Sequence, residues 1–176
     1  MRAECCMKFD SFDTYTYRTI TNDHVGTLAE VKAIINAEIA RGLTRTGESA
    51  HQIRLGTDSQ VKGINTNFVT IIILDHIGKG SRGFYARYKS PRIPSITERL
   101  FRESMRTIEL AFELNDIFDR FCIVPEIHAD VNPDLRYKSS SVFREVVGFI
   151  EAQGYDCVTK PNSWCASHVA DHLVKM

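Results

Sequence analysis

Three strand-like segments, residues 53–59, 67–74 and 83–89, are joined by connections too short for a crossover, and this limits the fold more than any other feature. The second is rich in β-branched residues, and the third alternates Phe84, Ala86 and Tyr88 with Tyr85, Arg87 and Lys89. The links contain Lys62-Gly63-Ile64-Asn65 and Gly78-Lys79-Gly80, which suit hairpins. An antiparallel meander is therefore expected, with its first strand at the centre of a larger sheet.

Downstream the hydrophobic period changes. Ser95, with Glu98 three residues on, opens a helix whose stripe of Leu100, Phe101, Met105, Ile108, Ala111 and Phe112 runs to near Phe118. A strand at 126–131 follows, entered through Pro125, then a helix at 140–153 stopped by Gly154, a strand at 155–159 and a terminal helix at 163–175. From residue 53 the order is β-β-β-α-β-α-β-α. Upstream, Thr27-Leu28-Ala29-Glu30 is a capping box, and Leu28, Val31, Ile34, Ile35 and Ile39 mark a helix that Gly42 ends. Residues 1–51 read as an extension with one helix packed on the core, and 52–176 as the main domain.

With 43 % apolar and 25 % charged residues, the 176-residue chain has a globular composition, which sets aside disordered, collagen-like and coiled-coil readings. Its longest largely apolar stretch, residues 68–74 with Thr70 inside it, is too short to cross a bilayer, so no membrane role is expected. Glu4 interrupts the stretch a signal peptide would need, which points to a cytoplasmic protein. The five cysteines are odd in number and irregularly spaced, as expected of thiols. Formal charge is zero, yet residues 79–106 hold eight Lys or Arg against two acids, and 109–134 hold seven acids against one Arg. A basic rim beside an acidic pocket is one reading of this segregation, and ordinary solvated faces are the other.

Two acids stand out by position. Asp58, in Gly56-Thr57-Asp58-Ser59-Gln60, sits near the end of the central strand, where a carboxylate is costly without a partner. Asp130 ends the strand that a right-handed crossover would return beside the first. Two carboxylates about 4 Å apart repel by about 4 kcal/mol at an effective dielectric of 20, which a dication would more than offset. Mg²⁺ (or Mn²⁺) suits an all-oxygen donor set.

The element order resembles the RNase H-like fold. Thr57-Asp58-Ser59 resembles the Thr-Asp-Gly-Ser signature of that fold's first strand, His128-Ala129-Asp130 the acid of its fourth strand, and Ala170-Asp171-His172-Leu173 the Ala-Asp-x-Leu pattern of its last helix. The run Gly56-Thr57-Asp58-Ser59-Gln60-Val61, the spacing of Glu98-Arg99 to Glu103 and the late Lys160-Pro161 resemble the bacterial YkuK family of RNase H-like proteins. The resemblance covers the chain from about Ile53 onward. It implies an α/β fold with a five-stranded mixed sheet, three antiparallel strands followed by two parallel to the first, with helices on both faces.

For activity it implies two-metal hydrolysis of phosphodiesters in RNA or an RNA/DNA structure, leaving a 5′-phosphate. Asp58, Asp130, a helix glutamate and Asp171 would be the catalytic and metal-binding groups. Glu98 and Glu103 both qualify as the glutamate: Glu98 lies about 90° and Glu103 about 130° from the centre of the apolar stripe, while Glu98 also serves as capping-box partner of Ser95. Lys79, Arg82, Arg87, Lys89 and Arg92 are candidate contacts to a nucleic-acid backbone, whether of RNA, a hybrid or structured DNA. A non-catalytic nucleic-acid or protein-binding module on the same fold is the alternative.

His128 shares a strand face with Glu126 and Asp130 and suits either a proton shuttle or a hydrogen-bonded structural role. Cys157, Cys165, His168 and His172 carry zinc-binding atoms at spacings unlike familiar zinc sites. Cys165 with His168 lacks a third group to orient a nucleophilic pair. Lys138-Ser139-Ser140-Ser141 suits a phosphate or plain N-capping.

Overall fold

In the computed structural model, which describes residues 10–21, 23–43 and 50–164, the three expected strands form one long meander. They are β3 (His51–Lys62), β4 (Asn65–His76) and β5 (Gly80–Pro91), following the short β1 (Tyr17–Thr19) and β2 (His24–Gly26) and the helix α1 (Leu28–Arg41). Each meander strand spans 12 residues and outlasts its apolar centre, because backbone pairing continues in register from Ile53↔Leu74 out to His51↔His76 and Lys62↔Asn65. Gly63, at φ +60°, makes the β3–β4 turn in a conformation that side chains disfavour.

The chain then forms α2 (Ile96–Glu113), α3 (Asn115–Phe121), β6 (Glu126–His128), a 3₁₀ turn at Lys138–Val142, α4 (Phe143–Ala152) and β7 (Asp156–Val158). β6 pairs parallel with β3, and β7 pairs parallel with β6. The expected helix reaching Phe118 is broken at the buried Leu114, where the chain turns to bury Ile117 and Phe118 as well.

The sheet has seven strands in the order β2-β1-β5-β4-β3-β6-β7, not the expected five. The two additional strands come from the N-terminal extension, which contributes a hairpin as well as a helix. β1 pairs antiparallel with β5 through Tyr17↔Ala86, Arg18↔Tyr85 and Thr19↔Phe84. A bare β5 edge would expose its N–H and C=O groups, and the hairpin covers them. Tyr15-Thr16-Tyr17-Arg18-Thr19-Ile20 carried the β-rich alternation that marks such a strand.

All four described α-helices contribute to one core on a single sheet face, where Leu28, Val31, Ile35, Leu110, Val146 and Ile150 meet Ile53, Leu55, Ile72 and Phe84. The other face carries a smaller cluster of Val69, Ile71, Ile73 and Tyr85 with Trp164. The expected terminal helix at 163–175 lies almost wholly outside the described residues.

Candidate active site

The parallel register of β3 and β6 runs Arg54↔Glu126, Leu55↔Ile127, Gly56↔His128 and stops there. Asp58 and Asp130 each stand two residues beyond the last pair, at the adjoining ends of neighbouring strands, and Asp58, still within β3, alternates with Thr57 and Ser59. The intervening Thr57 and Ser59 point the other way, toward α2. Thr57 Oγ1 is 2.9 Å from Thr107 Oγ1, and the Ser59 hydroxyl donates to Glu103 Oε1 at 2.6 Å.

Glu103 is therefore the helix glutamate at the strand ends, bonded to Ser59 on the α2 face and close enough to feel the charges of Asp58 and Asp130. It is 6 % exposed, and Asp58 is 8 % exposed. Its carboxyl is pushed well above the ordinary glutamate range, first by loss of solvent, then by the negative charge of Asp58 and, further down, of Asp130; the Ser59 hydrogen bond and Arg99 oppose the shift. Arg99 also donates to the Ser59 carbonyl at 3.3 Å.

Glu98, which the apolar stripe placed nearer the sheet, lies at the surface: its carboxylate meets Arg102 at 2.8 Å and its side chain is 46 % exposed. The stripe misled because the buried face of α2 includes polar residues, Ser104 and Thr107, along with Glu103, whereas Phe112 is exposed. An apolar count alone puts the centre of that face on the wrong side.

Lys160 enters the site unannounced by spacing or periodicity. Its backbone N–H donates to the Val131 carbonyl at 3.0 Å, and its ammonium lies 2.6 Å from Asp130 Oδ1. His128 is buried, 3.3 Å from Glu126 through Nε2 and edge-on to Trp164. Desolvation holds its pKa below the usual value against the opposing pull of Glu126, so the ring is neutral at pH 7. Arg54 ties Glu126 to Asp75 beside it.

The expected backbone-contact cations divide. Arg87 lies in the same cross-strand row as Asp58, through Asp58↔Val69 and Val69↔Arg87, which sets the outer two Cα atoms about 10 Å apart on one face. Lys89 follows in the next row, through Gln60↔Asn67↔Lys89, and both side chains are exposed. Arg92 continues past the strand, near the β3–β4 turn. Lys79 and Arg82 stand at the opposite end of the meander, where Arg82 pairs with Glu38 of α1.

Asp171 lies outside the described residues, as do Cys165, His168 and His172. Cys157 is a half-buried thiol pushed up to about 12, chiefly by desolvation, which makes it a poor ligand and nucleophile. The serines after Lys138 serve the loop: Asn132 N–H donates to Ser139 Oγ at 3.2 Å, and Ser141 donates to the Lys138 carbonyl at 3.0 Å.

Among the described residues, no three His, Cys, Asp or Glu side chains converge closely enough to cage a metal ion. The donor chemistry nevertheless fits a hard dication. Asp58, Glu103 and Asp130 offer only carboxylate oxygens, and Glu103 is a buried acid whose ionised form lacks sufficient positive charge around it.

A mixed sheet with an acid on each of two adjacent parallel strands and a third on the helix behind them is the arrangement of ribonuclease H-like proteins. The ribonuclease H-like family model matches residues 34–175, and the chain belongs to that family. The chain is also similar to a Bacillus subtilis (strain 168) protein named "Uncharacterized protein YkuK", at 26 % identity over 141 residues, covering 72 % of this chain and 81 % of that protein. No solved structure matches it significantly. At the level of the superfamily, membership associates the chain with nuclease-type chemistry and nucleic-acid partners. No helix among the described residues is long and apolar enough to cross a membrane.

Proposed function

We propose that this protein hydrolyses phosphodiester bonds in RNA or an RNA/DNA structure in a metal-dependent reaction, with Asp58, Glu103 and Asp130 as the central carboxylates and Asp171 as the fourth. The observation that carries the reading is the buried Glu103, held by Ser59 and within electrostatic reach of two strand-end acids. Such an arrangement is unfavourable for stability by itself and becomes favourable when a dication sits among the charges. Bound Mg²⁺ or Mn²⁺ would supply an activated water and stabilise the charge on the departing oxygen. Asp58 and Asp130 would hold the ions from the strand side and Glu103 from the helix side, while Ser59 fixes the Glu103 rotamer. Arg87 and Lys89, on the Asp58 face, would grip the backbone without reading sequence.

The test is cleavage of labelled RNA, RNA/DNA hybrid and branched DNA with Mg²⁺ or Mn²⁺, comparing wild type with Asp58→Asn. Loss of cleavage in the variant is expected, and equal cleavage by both proteins refutes the assignment.

One observation favours a second reading, a binding module without turnover: Lys160 already neutralises Asp130. Calorimetry separates the two. Absence of Mn²⁺ uptake at millimolar concentration, with nucleic acid still bound, supports the module.

A further inference from the structure

At the end of the meander remote from the acids, on the helix-covered face, the last turn of α1 and the β4–β5 hairpin line an open pocket of about 520 Å³. His51, seven residues before Asp58 on β3, places it about 23 Å along the strand from that acid, so the two sites are separate. The volume falls in the range that takes small ligands.

The lining is basic. Arg41, Lys79 and Arg82 carry permanent positive charge, with His51 and His76 between them, against a single carboxylate, Glu38. Glu38 is already ion-paired with Arg82. Arg41 directs Nε to the Ala37 carbonyl at 3.0 Å; among the described residues its terminal guanidinium nitrogens and the Lys79 ammonium have no ion-pair partner. The His51 and His76 rings lie 4.3 Å apart, held together by the register of β3 and β4.

Gly42 makes this placement possible, since a Cβ there would lie 2.2 Å from His51 Cε1. Burial and the neighbouring His76 and Lys79 disfavour a charged His51 against the opposing pull of Glu38, and an anion in the pocket would offset that repulsion. A carboxylate would meet only part of this lining. A group with several negative charges and oxygens on more than one side would engage Arg41 and Lys79 together.

We propose that this pocket binds the phosphate groups of a nucleotide-sized ligand, with Arg41 and Lys79 as the principal contacts and the rings of His51 and His76 as flanking hydrogen-bonding walls. The phosphate has two sources, a free nucleoside polyphosphate or the 5′-phosphorylated end of a nucleic-acid strand. The proposal stands independently of the acid cluster.

The test is calorimetry and thermal shift in EDTA with ATP, pyrophosphate, and a short RNA carrying either a 5′-triphosphate or a 5′-hydroxyl. Wild type and Asp58→Asn should bind at least one phosphate ligand alike, and the surface double variant Arg41→Ala/Lys79→Ala should bind it at least tenfold more weakly. Preference for ATP identifies the free nucleotide as the source, and preference for the triphosphorylated RNA over ATP and over its 5′-hydroxyl form identifies the strand end. No binding of any probe at millimolar concentration, or equal binding by the double variant, overturns the proposal.

Discussion

Replacing Glu103 with glutamine tests the buried acid without touching the exposed surface. In the native protein its carboxyl takes up a proton far more readily than in the unfolded chain, where the ordinary value of 4.5 applies. The folded state therefore holds more protons than the unfolded one above pH 4.5, and stability must fall as pH rises until the native group ionises. The slope is at most about 1.4 kcal/mol per pH unit, so the cumulative loss at pH 7.5 is bounded at about 4 kcal/mol, three pH units above the unfolded value. Glutamine cannot ionise and keeps an oxygen for the Ser59 hydroxyl.

In EDTA, urea denaturation of Glu103→Gln should match wild type within about 1 kcal/mol at pH 4.5 and exceed it at pH 7.5, by up to about 4 kcal/mol. For a chain of this size the Tm gain at the higher pH is at most roughly 16 °C. Addition of Mn²⁺ should then narrow the gap by stabilising wild type more than the variant. Parallel pH profiles for the two proteins would refute the reasoning, because they would mean that Glu103 meets neither desolvation nor its acidic neighbours.

Lys160→Met removes the ammonium 2.6 Å from Asp130 and should tighten Mn²⁺ binding about tenfold by calorimetry, the equivalent of about 1.4 kcal/mol of competition; unchanged affinity would show that Lys160 does not compete with a metal. Arg87→Ala/Lys89→Ala should weaken binding to all nucleic-acid sequences alike and flatten the plot of log affinity against log salt by roughly 0.7–0.9 per cation, read by fluorescence anisotropy at several salt concentrations. Arg106 is 2 % exposed, stacked 3.6 Å over Phe12 and bonded at 2.9 Å both to Glu109 and to the Asp10 carbonyl. Arg106→Met should therefore cost about 2–4 kcal/mol in urea denaturation, with lost cation–π contact and charged hydrogen bonds as the cause.

The meander, the crossover helix and the returning parallel strand were legible in the chain because each rests on a local signal: β-branched runs, glycine turns, and the Ser95 cap followed by a helical apolar stripe. Asp58 and Asp130 were legible for a related reason. An acid at the end of an otherwise apolar strand is conspicuous, and parallel pairing of the two strands follows from the connection between them. The β1 hairpin had a readable signal in the alternation around Tyr17, but its docking partner, the edge of β5, lies more than sixty residues away.

Which glutamate meets the acids was beyond local reading. The choice depends on how α2 is rotated against the sheet, and that rotation is set by Thr57, Ser59 and Thr107 bonding across the interface as much as by apolar burial. Lys160 likewise reaches Asp130 only because the chain leaving β7 pairs with Val131. Periodicity along the chain thus determined the elements and their order, since those follow from backbone geometry and which side chains repeat. The charges that face one another were decided in three dimensions, because electrostatic interaction depends on distance through space and on burial, and neither is a property of neighbours in sequence.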